Sequence, residues 1–377
     1  MFQRSLRSTL RRAYNVLAIE TSCDDTCVSL IERTLQHAQI IANFKSTLNS
    51  VSEGGIIPTK AQEHHQLMLS QLVKKALGCA SDRTIDLVCA TRGPGMVGSL
   101  STGLSVAKGL ALAWNVPLVG VHHMLGHLLV PRMFDEGLQF PFVTLLVSGG
   151  HTCLVLSEGL FHHEILCDTM DIAIGDSLDK CGREIGIQGN MIGREMEKLV
   201  AGMDDLDNAS YRMVLPNPLI KKNIMGFSFA PFITAVKKHL ETQNITDANT
   251  QMMRNMAFQI QESIFDHLVN RLQNAIKKDP NKFSNVKSFV CSGGVSANYT
   301  LRSKLEANLR SNFNRFYYPP LEFCTDNSVM IGWAGIELFE SKLFGHLHSD
   351  LNILPIRKWS LTEIMNKPGW VWDGRMD

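Results

Sequence analysis

The tripeptide Ser-Gly-Gly occurs twice in this chain, at Ser148-Gly149-Gly150 and Ser292-Gly293-Gly294, each time at the end of an apolar run that reads as a buried strand. Two core strands that end in the same glycine turn imply a chain built from two similar halves. The first copy joins Val143–Val147 to Thr152–Leu156 as a hairpin, and the second follows Phe289–Cys291 and precedes a helical stretch over Ala297–Leu309. Without a Cβ, successive backbone N–H groups can close on a phosphate or lie flat beside a base and ribose. The helix start after the second copy adds the positive end of its dipole. Either copy alone reads as an ordinary tight turn; the two together point to a nucleotide site.

The flanking pattern repeats in the same order. Val16–Ile19, an acidic turn over Glu20–Asp25 and Thr26–Ile31 form a first hairpin. Gln39–Thr47 follows as a third strand, then a helix over Lys60–Leu77, a strand over Asp86–Ala90, the glycine loop Arg92–Gly98, a helix over Ser99–Trp114 and a strand over Val116–Val121. The second half runs through its hairpin, a third strand over His162–Cys167, helices, a strand, a glycine loop and a helix. Two β-β-β-α-β-α halves with mixed sheets and a central cleft are the plan of the two-lobed actin-like ATPase and sugar-kinase fold, an α/β class in which nucleotide occupies the cleft. The predicted lobes are residues 14–138, joined by a returning helix within 328–350, and residues 139–327, which carry an insertion at 201–223. The break between them falls at Pro131–Pro141, where Pro, Gly and charged residues interrupt the pattern.

With 45% hydrophobic and 19% charged residues, the 377-residue chain has the material for two cores rather than a disordered segment. No run approaches the roughly eighteen uninterrupted apolar residues of a membrane helix, so no membrane contact is predicted. The nine cysteines form no CxxC pair, and Cys89, Cys153 and Cys291 lie in predicted strands. That usage argues against a disulfide framework and fits a reducing compartment. Residues 1–13 carry Arg4, Arg7, Arg11 and Arg12 with Ser5, Ser8 and Thr9 and no acid, the composition of a mitochondrial transit peptide. Without those arginines the chain has 33 basic against 36 acidic residues, so nucleic-acid binding has to be local. Lys221-Lys222, Lys237-Lys238 and Lys277-Lys278 are candidates for such a patch.

His123 and His127 are spaced to project from one helix face, one turn apart. Asp326, just ahead of the last predicted helix, supplies a third ligand if the carboxylate of the second lobe meets the imidazoles of the first. Two imidazoles and a carboxylate leave open positions for water or substrate, as a catalytic metal requires. Imidazoles favour zinc or iron, and open carboxylate and phosphate ligation favours magnesium.

The stretches Ile19-Glu20-Thr21-Ser22-Cys23-Asp24-Asp25-Thr26, Thr91-Arg92-Gly93-Pro94-Gly95, Val121-His122-His123-Met124-Leu125-Gly126-His127, Leu146-Val147-Ser148-Gly149-Gly150-His151, Gly293-Gly294-Val295-Ser296-Ala297-Asn298 and Thr325-Asp326-Asn327 resemble the universal tRNA N6-adenosine threonylcarbamoyltransferases, in the family order from Val16 to Ile356. The basic leader resembles that of the mitochondrial, fungal-type members, which implies the mitochondrial matrix and a homodimer. The resemblance implies transfer of a threonylcarbamoyl group from threonylcarbamoyl-AMP, made by an upstream synthase, to N6 of the adenosine 3′ to the anticodon in ANN-decoding tRNAs, with release of AMP. It implies one divalent metal per subunit on His123, His127 and Asp326. Ser22, Asp24 and Asp25 match positions facing the transferred group, with Asp25 the candidate acceptor of the N6 proton. Leu146, Val147, Ser148, Gly149 and Gly150 match a segment whose backbone donors hold phosphate; Gly293, Gly294 and Asn298 match one that holds adenosine. Asp179, Gly193 and Glu197 match positions that contact the nucleoside. His65 matches a position near the cleft, although a surface histidine is the simpler account, and Arg92–Gly95 is placed at the cleft entrance.

Two departures stand out. The family often has Pro-Gly-Gly where this chain has Gly189-Asn190-Met191-Ile192-Gly193, and archaeal-type relatives place a tyrosine near the metal where this chain has Leu146, which implies more water around the ion. The competing reading is an actin-like small-molecule kinase or ATPase, which has no need of His123 and His127. A zinc peptidase of the His-Glu-x-x-His type lacks its base here, since Met124 stands at the glutamate position. A non-catalytic scaffold would tolerate loss of Asp326.

Overall fold

A computed structural model describes residues 13–50, 55–80, 83–189, 191–203, 212–220, 222, 224–245 and 249–372. Residues 1–12 of the predicted leader, Asn190, and residues 204–211, 221 and 223 of the predicted insertion lie outside them. The described residues divide into two compact units, one falling within residues 1–137, 160–162 and 326–377 and the other within residues 138–159 and 163–325.

The first unit is built on strands β1 (Tyr14–Glu20), β2 (Asp25–Arg33), β3 (Ala38–Thr47), β4 (Leu87–Gly93) and β5 (Leu118–His122). β1 pairs antiparallel with β2 and parallel with β4, β2 pairs antiparallel with β3, and β4 pairs parallel with β5. All seven residues of β1 are buried, because helices cover both faces of the sheet. On one face Leu17 and Ile19 pack with Leu69, Leu72, Val73 and Ala76 of helix α1 (Pro58–Gly78) and with Leu104, Ala107 and Ala111 of α2 (Val97–Trp114). The apolar stripe of α1 recurs every three or four residues, and Pro58 opens the helix where its missing N–H costs nothing. Helix α3 (His123–Phe134) follows β5 without a connecting loop.

The other face of β1 is covered by the last long helix. Its glycines allow a close approach: a Cβ on Gly332 would meet Ile31 Cδ1 at 2.6 Å, and one on Gly335 would meet Cys89 Sγ at 2.3 Å. This helix, which begins at Ser328, belongs to the first unit, and so does Asp326. The boundary expected after residue 327 therefore falls before Asp326 instead.

The second unit repeats the local order. β6 (Phe142–Val147) pairs antiparallel with β7 (Thr152–Gly159), which neighbours β8 (His162–Thr169). Helices α4 (Ile174–Glu184) and α5 (Ile192–Val200), strand β9 (Gly226–Phe227), α6 (Ala230–Thr242), α7 (Thr250–Lys278) and α8 (Pro280–Phe283) intervene before β10 (Ser288–Ser292) pairs parallel with β6. Helix α9 (Tyr299–Leu309) then leads to β11 (Arg315–Tyr317), parallel to β10. The order β3-β2-β1-β4-β5 in one sheet corresponds to β8-β7-β6-β10-β11 in the other. The duplication inferred from the two Ser-Gly-Gly turns is therefore present in the strand order. The core joins Val143, Leu145 and Phe289 to Met256, Ile260, Ile264, Phe265 and Leu268 of α7.

The chain closes with α10 (Ser328–Phe339) and the short strands β12 (His348–Ser349) and β13 (Trp370–Val371), which extend the first sheet beyond β5. Among the described residues no helix is long and apolar enough to cross a membrane.

Candidate functional site

His123 and His127 lie in the first two turns of α3, both buried, with ring centroids 5.0 Å apart. Asp326 precedes the Asn327 cap of α10, whose side chain accepts from Met330 N–H. Helices α3 and α10 are held side by side by Gly126, where a Cβ would stand 3.0 Å from Met330 Cγ. The result is a three-residue cluster. His127 Nε2 lies 3.1 Å and His123 Nε2 3.5 Å from Asp326 Oδ1, and one ligand atom from each of the three lies within 4.8 Å of the others. All three side chains come from the first unit, so the expectation of a carboxylate supplied by the other lobe is corrected: α10 returns to the first unit with Asp326 at its head.

Glu20, at the end of β1, stands behind His123. Its carboxylate accepts from Ser22 N–H at 2.6 Å, from Thr91 Oγ1, and from His123 Nδ1 at 3.3 Å. Ser22 Oγ lies 3.2 Å from the same Nδ1. A carboxylate behind one imidazole nitrogen orients the ring and presents the opposite nitrogen forward, the arrangement that usually backs a metal-bound histidine. Burial opposes charge on His123, but Asp326 and Glu20 overcome it and push its pKa up to about 9. Burial likewise opposes ionisation of Glu20 and Asp326, but His123, joined by Ser22 at Glu20 and by His127 and Lys45 at Asp326, outweighs it and holds both carboxyls below their usual range. Glu20, fully buried, and Asp326, half-buried, thus place negative charge on both sides of the His123 ring. The donor set, two imidazoles and a carboxylate with ligand atoms within 4.8 Å of one another, fits a divalent cation.

The predicted residues of the first hairpin tip are held firmly. Asp25 is buried, accepts from Thr47 Oγ1 at 2.5 Å and pairs with Lys45, whose Nζ also donates to the Asp326 carbonyl at 3.1 Å. Burial raises the Asp25 carboxyl despite Lys45. Asp24 is half-buried, and its carbonyl accepts from Leu48 N–H at 3.1 Å. His65 is fully buried rather than a surface residue, since it lies on the inward stripe of α1. Its Nε2 donates to the Cys23 carbonyl at 2.9 Å and its Nδ1 accepts from Thr26 Oγ1 at 2.8 Å, tying down the tip that carries Asp24 and Asp25. Arg92 is also buried: Nε donates to the Leu354 carbonyl at 3.1 Å and the guanidinium lies 5.6 Å from the Trp359 ring.

In the second unit, Leu146 and Val147 are buried in β6, and Ser148–His151 form the hairpin turn. Ser148 Oγ accepts from Gly150 N–H at 3.2 Å and His151 N–H at 3.0 Å. Gly149 and Gly150 are exposed, and a Cβ on either would meet nothing within 4 Å. Gly175, at the start of α4, approaches this turn so closely that its Cβ would stand 2.7 Å from the Ser148 carbonyl oxygen. Gly293 has φ +97° and sits against Val147, while Gly294 opens a 3₁₀ turn that ends at Asn298. Asn298 is buried, caps α9 by accepting from Leu301 N–H and donates to Gln261 Oε1 at 3.0 Å. Asp179 accepts from Gly193 N–H at 2.9 Å, and Glu197 accepts from Tyr299 N–H at 2.7 Å, one residue past Asn298. These contacts join Asp179 to Gly193, and Glu197 to the residue after Asn298. Lys237 pairs with Glu184 at 3.2 Å, and Lys277-Lys278 close α7.

Glu20, Lys45 and Gly175 were not singled out by sequence reasoning. Glu20 was visible only as one acid in a hairpin motif, and Lys45 and Gly175 carry no local signal, because their partners lie far away along the chain.

The repeated strand order and the histidine–carboxylate cluster define an α/β protein of the actin-like ATPase fold. Two HypF structures share that fold: one from T. kodakarensis, with a TM-score of 0.51 and 13% identity over 85% of this chain and 46% of that one, and a full-length HypF in its phosphate- and nucleotide-bound form, also at 0.51 and 13%, over 87% and 47%. Residues 39–333 match the tRNA N6-adenosine threonylcarbamoyltransferase (TsaD) family, and the chain is 35% identical to the mitochondrial tRNA N6-adenosine threonylcarbamoyltransferase of Schizosaccharomyces pombe over 96% of its own length and 90% of that protein. The chain belongs to this family. It is a transferase that places a threonylcarbamoyl group on N6 of adenosine in tRNA.

Proposed function

We propose that His123, His127 and Asp326 hold one divalent metal ion per subunit during this transfer, zinc or iron before magnesium because two of the three donors are imidazoles. The observation that carries the reading is the convergence of both Nε2 atoms on Asp326 Oδ1, with Glu20 behind His123. Such an ion supplies Lewis acidity toward an oxygen of the bound donor. The donor is threonylcarbamoyl-AMP, delivered by an upstream synthase, and the acceptor is the adenosine 3′ to the anticodon of an ANN-decoding tRNA.

An exocyclic amine is a weak nucleophile, so much of the rate has to come from holding donor and acceptor in register. Ser148 Oγ fixes the turn at Gly149 and Gly150, whose missing side chains leave room for a phosphate against the backbone. Leu146 and Val147 set that turn at the end of β6, with Gly293 and Gly294 beside it. Asp179 and Glu197, already aligned by the N–H groups of Gly193 and Tyr299, have the lone pairs to accept ribose hydroxyls. Gly193 and Asn298 complete the surface that holds adenosine. Ser22 and Asp24 contact the transferred group, and Asp25 receives the proton that N6 gives up; its raised carboxyl pKa suits that acceptance better than an exposed aspartate would. In this reading the enzyme works in the mitochondrial matrix, as the mitochondrial relative and the basic composition of residues 1–13 suggest, and it works there as a homodimer.

The test is to mix purified protein, threonylcarbamoyl-AMP and unmodified ANN-decoding tRNA and analyse the nucleosides by mass. His127→Ala and Asp326→Ala are expected to abolish product while leaving cooperative unfolding intact, since neither empties a core. Full activity of both variants would refute the metal reading.

A further inference from the structure

His122 precedes the first candidate ligand and belongs to neither the metal nor the nucleotide set, yet it is only 1% exposed. It ends β5 and caps α3: its Nδ1 accepts from Met124 N–H at 3.1 Å. Caps are usually Ser, Thr, Asp or Asn, whose side chains offer an acceptor directly. A histidine can do so through Nδ1 only if its proton sits on Nε2. Here that proton has a fixed partner, because Nε2 donates to the backbone carbonyl of Trp359 at 3.0 Å. The Trp359 ring also lies 4.8 Å from the imidazole at 53°, and it is anchored by Arg92 and by its own Nε1 donating to the Glu363 carbonyl at 3.2 Å. Arg92 in turn accepts from Ile356 N–H at 2.8 Å, so the segment 354–359 is stitched to β4 beside the ligand helix.

We propose that His122 is a positioning residue for the metal centre, and that the Trp359 carbonyl, beyond residues 39–333, fixes the tautomer with which it caps α3. The proposal rests on the reading of His123, His127 and Asp326 as ligands. His123 is the first residue of α3 and His127 lies one turn on, so the cap sets the rise and rotation of both imidazoles toward Asp326. Without it the buried Met124 N–H loses its acceptor and the first turn of the helix frays.

The experiment titrates metal-free full chain with Co²⁺, followed by its visible absorption, and measures amide exchange at Met124 in parallel. His122→Ala is expected to weaken cobalt binding by about 10- to 100-fold and to speed exchange at Met124. His122→Asn, which keeps an acceptor for the same N–H, is expected to restore most of both, and His122→Thr, a weaker cap, to fall between and to serve if the alanine variant does not fold. Equal cobalt affinity across the series overturns the proposal, as does an asparagine variant no better than the weakest cap. Wild-type protein that takes up no more cobalt than His127→Ala sinks the metal reading itself and this proposal with it.

Discussion

Gly293 and Gly149 look alike in the sequence and are expected to fail in opposite ways when changed to alanine. Gly293 sits at φ 97° and ψ 163°, a region open essentially to glycine alone, and a Cβ there would stand 2.4 Å from the Val147 carbonyl oxygen. The backbone conformation costs a non-glycine residue about 1–3 kcal/mol, and relieving the overlap costs roughly the same again. Gly293→Ala should therefore lose about 2–6 kcal/mol of stability, a fall of roughly 10 °C in melting temperature for a unit of this size. Gly149 is outside the left-handed region, and a Cβ on it meets no atom within 4 Å. Gly149→Ala should fold with stability within about 1 kcal/mol of wild type while binding AMP at least about tenfold more weakly, ~1.4 kcal/mol, because the new methyl occupies space assigned to the phosphate. Differential scanning calorimetry and isothermal titration with AMP separate the two effects. An alanine at 293 that melts at the wild-type temperature, or one at 149 with unchanged AMP affinity, would refute the reasoning.

Glu20→Gln keeps an acceptor for Ser22 N–H but removes the charge behind His123, and should weaken metal binding by about 10- to 100-fold; unchanged affinity in a competitive chelator titration would remove Glu20 from the site. His267 on α7 is buried between Phe229 and Phe232, accepts from Ser228 N–H at 3.3 Å, and is pushed down to about 4 by burial and then by Arg271. A histidine held neutral in the fold favours folding fully above the unfolded value of 6.5 and loses that contribution as pH falls from 6.5 toward 4. The loss is at most about 3 kcal/mol at ~1.4 kcal/mol per pH unit, so His267→Gln should flatten the decline of urea stability over that range; a decline as steep as in wild type would exclude His267 as its source.

The strands were legible because each carries a run of apolar residues, and β1, β2, β4, β6, β7 and β10 fall within a few residues of their expected bounds. His123 and His127 were legible as a pair because helix spacing is local. His65 was misjudged as a surface residue, although its place on the stripe with Ala61, Leu69 and Leu72 carried the signal.

What the sequence by itself determined is whatever depends on near neighbours: strand and helix periods, the two glycine turns, the imidazole pair, and the motif order that carries the family resemblance. Only the tertiary structure decided that Asp326 joins the first unit, that Glu20 stands behind His123, that Lys45 links Asp25 to the Asp326 carbonyl, and that Trp359 sets the proton of His122. Each of these contacts joins residues far apart in the chain, so it exists only once the order β12-β5-β4-β1-β2-β3 has been set by burial of both sheet faces. No local pattern of residue types encodes that order.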